Sequence, residues 1–223
     1  MRTCLTIVGL MAVAIIVAGA IAFMRPNTST APSLGDSTTQ LPLKRETPKF
    51  MPVAEATKGA IHAALVVDGR GTIEMELYPA AAPKTVAHIV ALCKRSFYKG
   101  ILVHRVEDSP TFRLFQAGDP KTITMDPNRL RGKTTTEVSQ QLDLGSGGSG
   151  TNVPLEAHMP NVKYSVGLAR SDDEGSGDSQ FYINLIDNSL LDGKYCIFGK
   201  VISGQSVAEQ VRIGDRITEF TIH

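Results

Sequence analysis

The sequence predicts a mainly β protein: a closed, eight-stranded antiparallel β-barrel capped by two α-helices, preceded by one apolar N-terminal helix and a disordered stalk. Three observations carry that prediction. Eight short runs rich in β-branched and aromatic residues lie between Gly59 and the C-terminus, and runs of that kind bounded by turn residues form strands. Only two segments in the same stretch have helical spacing, too few for the alternating βαβ units of a parallel sheet. Many short antiparallel strands remove their open edges by closing into a barrel.

Composition sets the outer limits. The chain has 223 residues, 42% of them apolar, enough for one ordinary domain with a core and additional segments. Lys and Arg number 23 against 22 Asp and Glu, so no basic excess supports a nucleic-acid partner. Three scattered cysteines, Cys4, Cys93 and Cys196, exclude a disulfide scaffold and a zinc site made only of thiolates.

In chain order, residues 1–24 come first as a signal anchor or a signal peptide. Cys4 to Met24 is an uncharged apolar run of 21 residues behind Arg2. At about 1.5 Å per residue a helix of that length spans the hydrocarbon core of roughly 30 Å. The basic N-terminus favours a cytoplasmic start and a domain outside the cytoplasm. Ala18-Gly19-Ala20 and Ala20-Ile21-Ala22 offer small-residue cleavage patterns, so a cleaved signal and a secreted product stay open. Residues 25–58 contain Pro26, Pro32, Pro42, Pro48 and Pro52 among Ser and Thr, with no apolar period. They form a flexible linker.

Residues 59–223 form the domain. Ile61–Val67 and Thr72–Tyr78 make a hairpin about Asp68-Gly69-Arg70-Gly71, and Ile73, Met75 and Leu77 alternate with polar neighbours. Pro83 opens a helix at its first turn, with Val86, Ile89, Val90 and Cys93 on one face. The remaining strands are Leu102–Val106, Phe112–Gln116, Tyr164–Leu168, Gln180–Asn184, Cys196–Val201 and Arg216–Ile222; a second helix falls at Ser206–Val211. Lys121 to Leu144 (121–144) is polar, lacks a period and is expected as an inserted surface loop.

Several chemistries are excluded in passing. Gly145-Ser146-Gly147-Gly148-Ser149-Gly150 satisfies the letters of a dinucleotide fingerprint, but a polar loop precedes it and Pro154 follows, where strand and helix are required. His62, His88, His104, His158 and His223 show no metal-ligand spacing, and Asp172, Asp173, Glu174 and Asp178 do not match a calcium loop. No nucleophile elbow is present. No metal and no cofactor are expected.

Four phrases occur in collinear order: Val103-His104-Arg105-Val106, Phe115-Gln116-Ala117-Gly118-Asp119-Pro120, Ser179-Gln180-Phe181-Tyr182-Ile183, and Leu191-Asp192-Gly193-Lys194 with Phe198-Gly199-Lys200-Val201. Together they resemble the cyclophilin-type peptidyl-prolyl cis-trans isomerases, over about Gly59 to Ile222. The resemblance implies an eight-stranded barrel with two capping helices and an enzyme that turns X–Pro bonds in polypeptides, with Pro-containing polypeptides as partners. It makes Arg105 and Gln116 catalytic. It places Phe112, Leu114, Ala169, Arg170, Tyr182, Leu190, Leu191 and Tyr195 at the substrate.

The residue types suit that chemistry. An X–Pro bond rotates over a barrier of about 18–20 kcal/mol, and no nucleophile or metal is needed to lower it. A donor aimed at the prolyl nitrogen weakens amide resonance, and a guanidinium offers fixed, permanently charged donors. One charge-assisted bond is worth about 1.5–3 kcal/mol, or one to two decades in rate. This chain departs from the family pattern at several points. The connection between Arg105 and Gln116 is longer than usual, so the family's Phe and Met positions fall on Arg113 and Leu114, with Phe112 one residue out of step. Leu190 stands where many members carry tryptophan, and Tyr195 where many carry histidine. The expected protein is a monomeric, membrane-tethered isomerase that assists folding outside the cytoplasm. The alternative is a catalytically weak module of the same fold that binds Pro-containing segments; Arg113 filling the proline pocket would favour it.

Overall fold

A computed structural model describes residues 48–223. The apolar run 1–24 and most of the linker 25–58 lie outside the described residues. No helix among the described residues is long and apolar enough to cross a membrane.

A short helix α1 (Val53–Ala56) leads into the hairpin β1 (Ile61–Val67) and β2 (Gly71–Leu77), then helix α2 (Pro83–Lys94). The hairpin β3 (Arg105–Ser109) and β4 (Phe112–Ala117) follows, and then helix α3 (Thr135–Leu142). Strands β5 (Ser165–Leu168), β6 (Phe181–Asn184) and β7 (Cys196–Ser203), helix α4 (Gln205–Gln210) and β8 (Ile217–Ile222) complete the domain. The strands form one 8-stranded sheet in the order β3-β4-β6-β5-β7-β2-β1-β8, and every ladder is antiparallel.

The sheet curls into a half-barrel and does not close, which corrects the expected closed barrel. β3 and β8 are its edges, and no ladder joins them. A short seam of loop backbone lies between their approaches: Gly100 N–H bonds to Ile217 O, Ile217 N–H to Ile101 O and Val103 N–H to Asp215 O, each at 2.8 Å. β3 itself has another partner. The Thr135 hydroxyl accepts from Val106 N–H at 3.3 Å and donates to Val106 O at 3.0 Å. The first turn of α3 therefore satisfies both backbone groups of Val106 on the edge that a closing strand would have needed. That point of the edge is thereby a poorer template for pairing.

Among the described residues there are four α-helices where two were expected in the domain. α3 lies inside 121–144, expected as a loop because that stretch has no apolar period. Its N-terminus is a capping box: Glu137 N–H bonds to Thr134 Oγ1 at 3.3 Å and Thr134 N–H to Glu137 Oε2 at 2.8 Å. Val138 anchors it in a small cluster with Leu102, Leu130 and Leu144. α1 and its neighbours lie in the segment expected as linker, yet Ala56 is fully buried and Met51 N–H bonds to His158 O at 2.8 Å.

Two apolar layers sit on opposite faces of the sheet. The inner core joins Leu65, Ile73, Phe115, Phe181, Phe198 and Phe220 beneath α2, which contributes Val86, Ile89, Leu92 and Cys93. The other face carries a smaller cluster built on Leu114, Tyr182, Leu191 and Ile197.

Thr135→Val keeps the volume of the side chain and removes both bonds to Val106. We expect a loss of about 1–2 kcal/mol in urea unfolding, with faster hydrogen exchange at the Val106 amide; unchanged exchange there would show that α3 does not guard the edge.

Candidate active site

The antiparallel register builds the site. Arg105 on β3 stands opposite Gln116 on β4, Gln116 opposite Tyr182 on β6, and Tyr182 opposite Gly167 on β5. Directly opposed residues share a face, so these four lie in one row across four strands. Alternation along β4 adds Phe112 and Leu114 to that face and sends Phe115 and Ala117 into the inner core.

Polar contacts run along the row. Arg105 Nη1 donates to Gln116 Oε1 at 3.3 Å, and its Nε donates to Glu107 Oε1 at 3.0 Å. Gln116 Nε2 donates to Gln180 Oε1 at 2.8 Å, and Gln180 Nε2 donates to Gly147 O at 2.7 Å. The glycine-rich loop that resembled a nucleotide motif thus braces the row. Two carboxylates hold that loop in turn. Asp119 accepts from the N–H groups of Gly145 at 2.7 Å and Gly147 at 3.2 Å. Asp178 accepts from Gly150 N–H at 2.9 Å and from His88 Nε2 at 3.1 Å.

The apolar side is built around Tyr182. Its ring lies over Gly167, where any side chain would run into it. Its hydroxyl donates to Asn161 Oδ1 at 2.7 Å, and burial pushes its pKa well above the ordinary phenol value. Tyr195 meets the ring edge-on, with centroids 6.0 Å apart. Leu114 and Leu191 are buried beside Tyr182, and Phe112, Ala169 and Tyr195 are the half-buried members exposed to a ligand.

Three expected residues behave differently. Arg113 does not enter the apolar cluster: strand alternation turns it away, and its Nε donates to Asp108 Oδ1 at 2.6 Å. Leu190 is 67% exposed and joins none of the clusters, so it stands at the rim. Arg170 spends its donors on backbone, with Nε on Lys194 O and Nη1 on Ser171 O, both at 2.7 Å, while its guanidinium lies 5.0 Å over the Tyr195 ring. It holds Tyr195 in place.

Sequence reasoning gave no role to Gln180, Asn161 or His104. Gln180 was detectable, being two residues before Tyr182 on the same strand line. Asn161 lies in a loop without a pattern. His104 is 3% exposed, and neither ring nitrogen has a partner in bonding geometry, although Gln180 lies close enough to favour its protonated form slightly. Burial is the main reason its pKa falls to about 4; Asp119 opposes the fall and Arg105 adds to it.

Among the described residues, no group of three or more His, Cys, Asp and Glu side chains is placed to hold a metal. Burial pushes the thiols of Cys93 and Cys196 up to about 12, so neither supplies a thiolate at neutral pH. A charged and amide-braced row thus lies beside an apolar patch on one face of the curled sheet.

The chain belongs to the family of cyclophilin-type peptidyl-prolyl cis-trans isomerases: the family model described as "Cyclophilin type peptidyl-prolyl cis-trans isomerase/CLD" matches residues 62–221. It is an enzyme of that class. A relative from Brucella suis, named "Probable peptidyl-prolyl cis-trans isomerase", is 37% identical over 146 residues, 65% of this chain and 68% of that one. A peptidyl-prolyl cis-trans isomerase of Helicobacter pylori is 31% identical over 159 residues, 69% of this chain and 82% of that one. The crystal structure of a Cryptosporidium parvum cyclophilin-type isomerase shares the fold, with a TM-score of 0.58, 20% identity and coverage of 74% of this chain and 98% of that one. A second structure of that protein was solved in the presence of the dipeptide Ala-Pro, with a TM-score of 0.56 and 21% identity over 73% of this chain and 98% of that one.

The pKa of about 4 for His104, against 6.5 ordinarily, means the unfolded chain binds the proton more readily than the folded one. Stability contributed by neutral His104 is therefore complete above pH 6.5, falls as pH drops toward 4, and changes no further below that. The difference corresponds to roughly 3 kcal/mol. Urea unfolding of the protein and of His104→Gln across this range should show the steeper slope only where His104 is present; parallel slopes would contradict it.

Proposed function

We propose that this protein accelerates cis-trans rotation of X–Pro bonds in polypeptides outside the cytoplasm, assisting their folding while tethered to a membrane by residues 1–24. The observation that carries the reading is the row of Arg105, Gln116 and Tyr182 on one face of the sheet beside Phe112, Leu114 and Tyr195.

The proposed mechanism uses positioning and charge alone. A guanidinium has five N–H donors, and two of Arg105's are engaged, one with Glu107 and one with Gln116. Five less two leaves three for a ligand. Glu107 and Gln116 fix the plane of the group, so a free donor reaches the prolyl nitrogen as its lone pair develops. Gln116, held by Gln180, presents its amide to the carbonyl or N–H of the substrate backbone. The proline ring rests on the half-buried edges of Phe112, Tyr195 and Ala169 while the residue before it turns. Arg113, paired with Asp108, leaves that ground free, which favours catalysis over passive binding.

Line-shape or exchange NMR of an Ala-Pro peptide, with the full chain added, should show faster interconversion. Arg105→Ala should reduce the rate constant at least tenfold, about the value of one charge-assisted bond, with the circular dichroism spectrum unchanged. An unchanged rate in a folded variant would refute the role of Arg105.

The proposed location rests on the uncharged run from Cys4 to Met24 behind Arg2. Protease added to intact cells should remove the domain and leave a membrane-bound stub. Recovery of soluble protein beginning near Ile21 or Phe23 would establish a cleaved signal instead.

A further inference from the structure

A cleft of about 660 Å³ opens away from the apolar patch, between residues 131–136, the β3–β4 hairpin and the turn after α4. Arg70, Arg113, Arg131, Lys133 and Arg212 line it, over an apolar floor of Val106, Leu185 and Ile213. Its carboxylates already have partners. Asp215 holds Arg70 Nε at 2.8 Å and Arg212 N–H at 2.8 Å. Asp108 holds Arg113 at 2.6 Å, Glu107 holds Arg105 at 3.0 Å, and Glu209 accepts from the Tyr164 hydroxyl at 2.6 Å and from Lys163 at 3.1 Å.

Three cations lack such a partner among the described residues. Arg131 reaches Asn128 Oδ1 at 3.3 Å, Lys133 reaches Gln141 Oε1 at 3.1 Å, and Arg212 reaches the carbonyls of Glu209 and Val211 at 2.9 Å. Among the described residues none of the three forms an ion pair, although the bonds from Thr134 that hold the Glu137 carboxyl low are helped by Lys133 nearby. Five cations line the cleft against four carboxylates, a small local basic excess. Two of the three, Arg131 and Lys133, belong to the insertion, and Arg212 faces them from the turn after α4.

We propose that this cleft is a second subsite, taking acidic segments of the same polypeptides whose X–Pro bonds are turned at Arg105. The inference rests on the isomerase reading for the identity of its partner. Continuity supports a polypeptide rather than a small anion. Glu107 lines the cleft while its carboxylate is bonded to Arg105, so a chain lying on Arg105 continues into the cleft along the same strand. The apolar floor receives the aliphatic parts of such a chain, and Arg131, Lys133 and Arg212 receive its carboxylates.

The test uses the full chain and two fluorescent peptides that share one Ala-Pro unit and differ in a flanking tract of Glu or of Gln. By anisotropy the Glu peptide should bind at least fivefold more tightly at about 50 mM salt, and the ratio should fall toward one at about 300 mM as screening shortens the reach of the charges. Arg131→Gln combined with Lys133→Gln, both on the insertion surface, should abolish the preference and leave affinity for the Gln peptide unchanged. Equal affinities for the two peptides, or a preference that survives the double substitution, would overturn the proposal. NMR exchange on the Gln peptide reads the isomerase reaction separately. A Glu preference without catalysed exchange would uphold the cleft and sink the isomerase reading.

Discussion

Antiparallel register across β3, β4, β6 and β5 is the constraint on which the site depends. Because opposed residues in such ladders face the same way, one alignment sets Arg105, Gln116, Tyr182 and Gly167 in line. A slip of one residue in β4 would turn Gln116 into the core and Phe115 out to solvent. The burial of Phe115 and Phe181 on the inner face therefore fixes the face that carries Arg105, Gln116 and Tyr182 as well. Core packing and the geometry of the candidate site are two sides of one registration.

A second layer of control comes from backbone loops held by carboxylates. Asp119 accepts from the N–H groups of Gly145 and Gly147, Asp178 accepts from Gly150 N–H and the Ser149 hydroxyl, and the carbonyl of Gly147 fixes Gln180. Close backbone approach requires glycine there: a side chain at 147 would collide with Asp119, and one at 148 with Asp178. The insertion works differently. It adds α3, bonds the open edge of β3 through Thr135, and supplies cations to the cleft that Glu107 borders.

The parts of the fold governed by local pattern were legible in the sequence. Alternation in Ile73, Met75 and Leu77 and the Pro83 helix start are short-range signals, and β2 and α2 follow them. Family phrases named Arg105, Gln116 and Tyr182, and the structure brings these three into one row. The illegible parts depend on contacts distant in sequence. Closure of the barrel turns on whether β3 meets β8, and at Val106 a hydroxyl from the insertion takes the bonds of that edge instead. α3 has a capping box but only one fully buried apolar residue, Val138, so periodicity had nothing to detect. Phe112 rather than Arg113 faces the apolar cluster because β4 runs in unbroken register against β3, so plain alternation sets Phe112, Leu114 and Gln116 on one face. Gln180 and Asn161 act through partners 64 and 21 residues away.

Tyr182 rests on Gly167 and is tied by its hydroxyl to Asn161, which itself accepts from Asn184 Nδ2 at 3.3 Å. The ring consequently loses its rotational freedom when the chain folds, long before any ligand arrives. A ligand meeting a wall already ordered gives up less entropy on binding than one that must still a moving ring. Tyr182 is itself buried, so this stiffness reaches the surface only through Phe112, Ala169 and Tyr195, the half-buried members of its cluster, whose places it fixes.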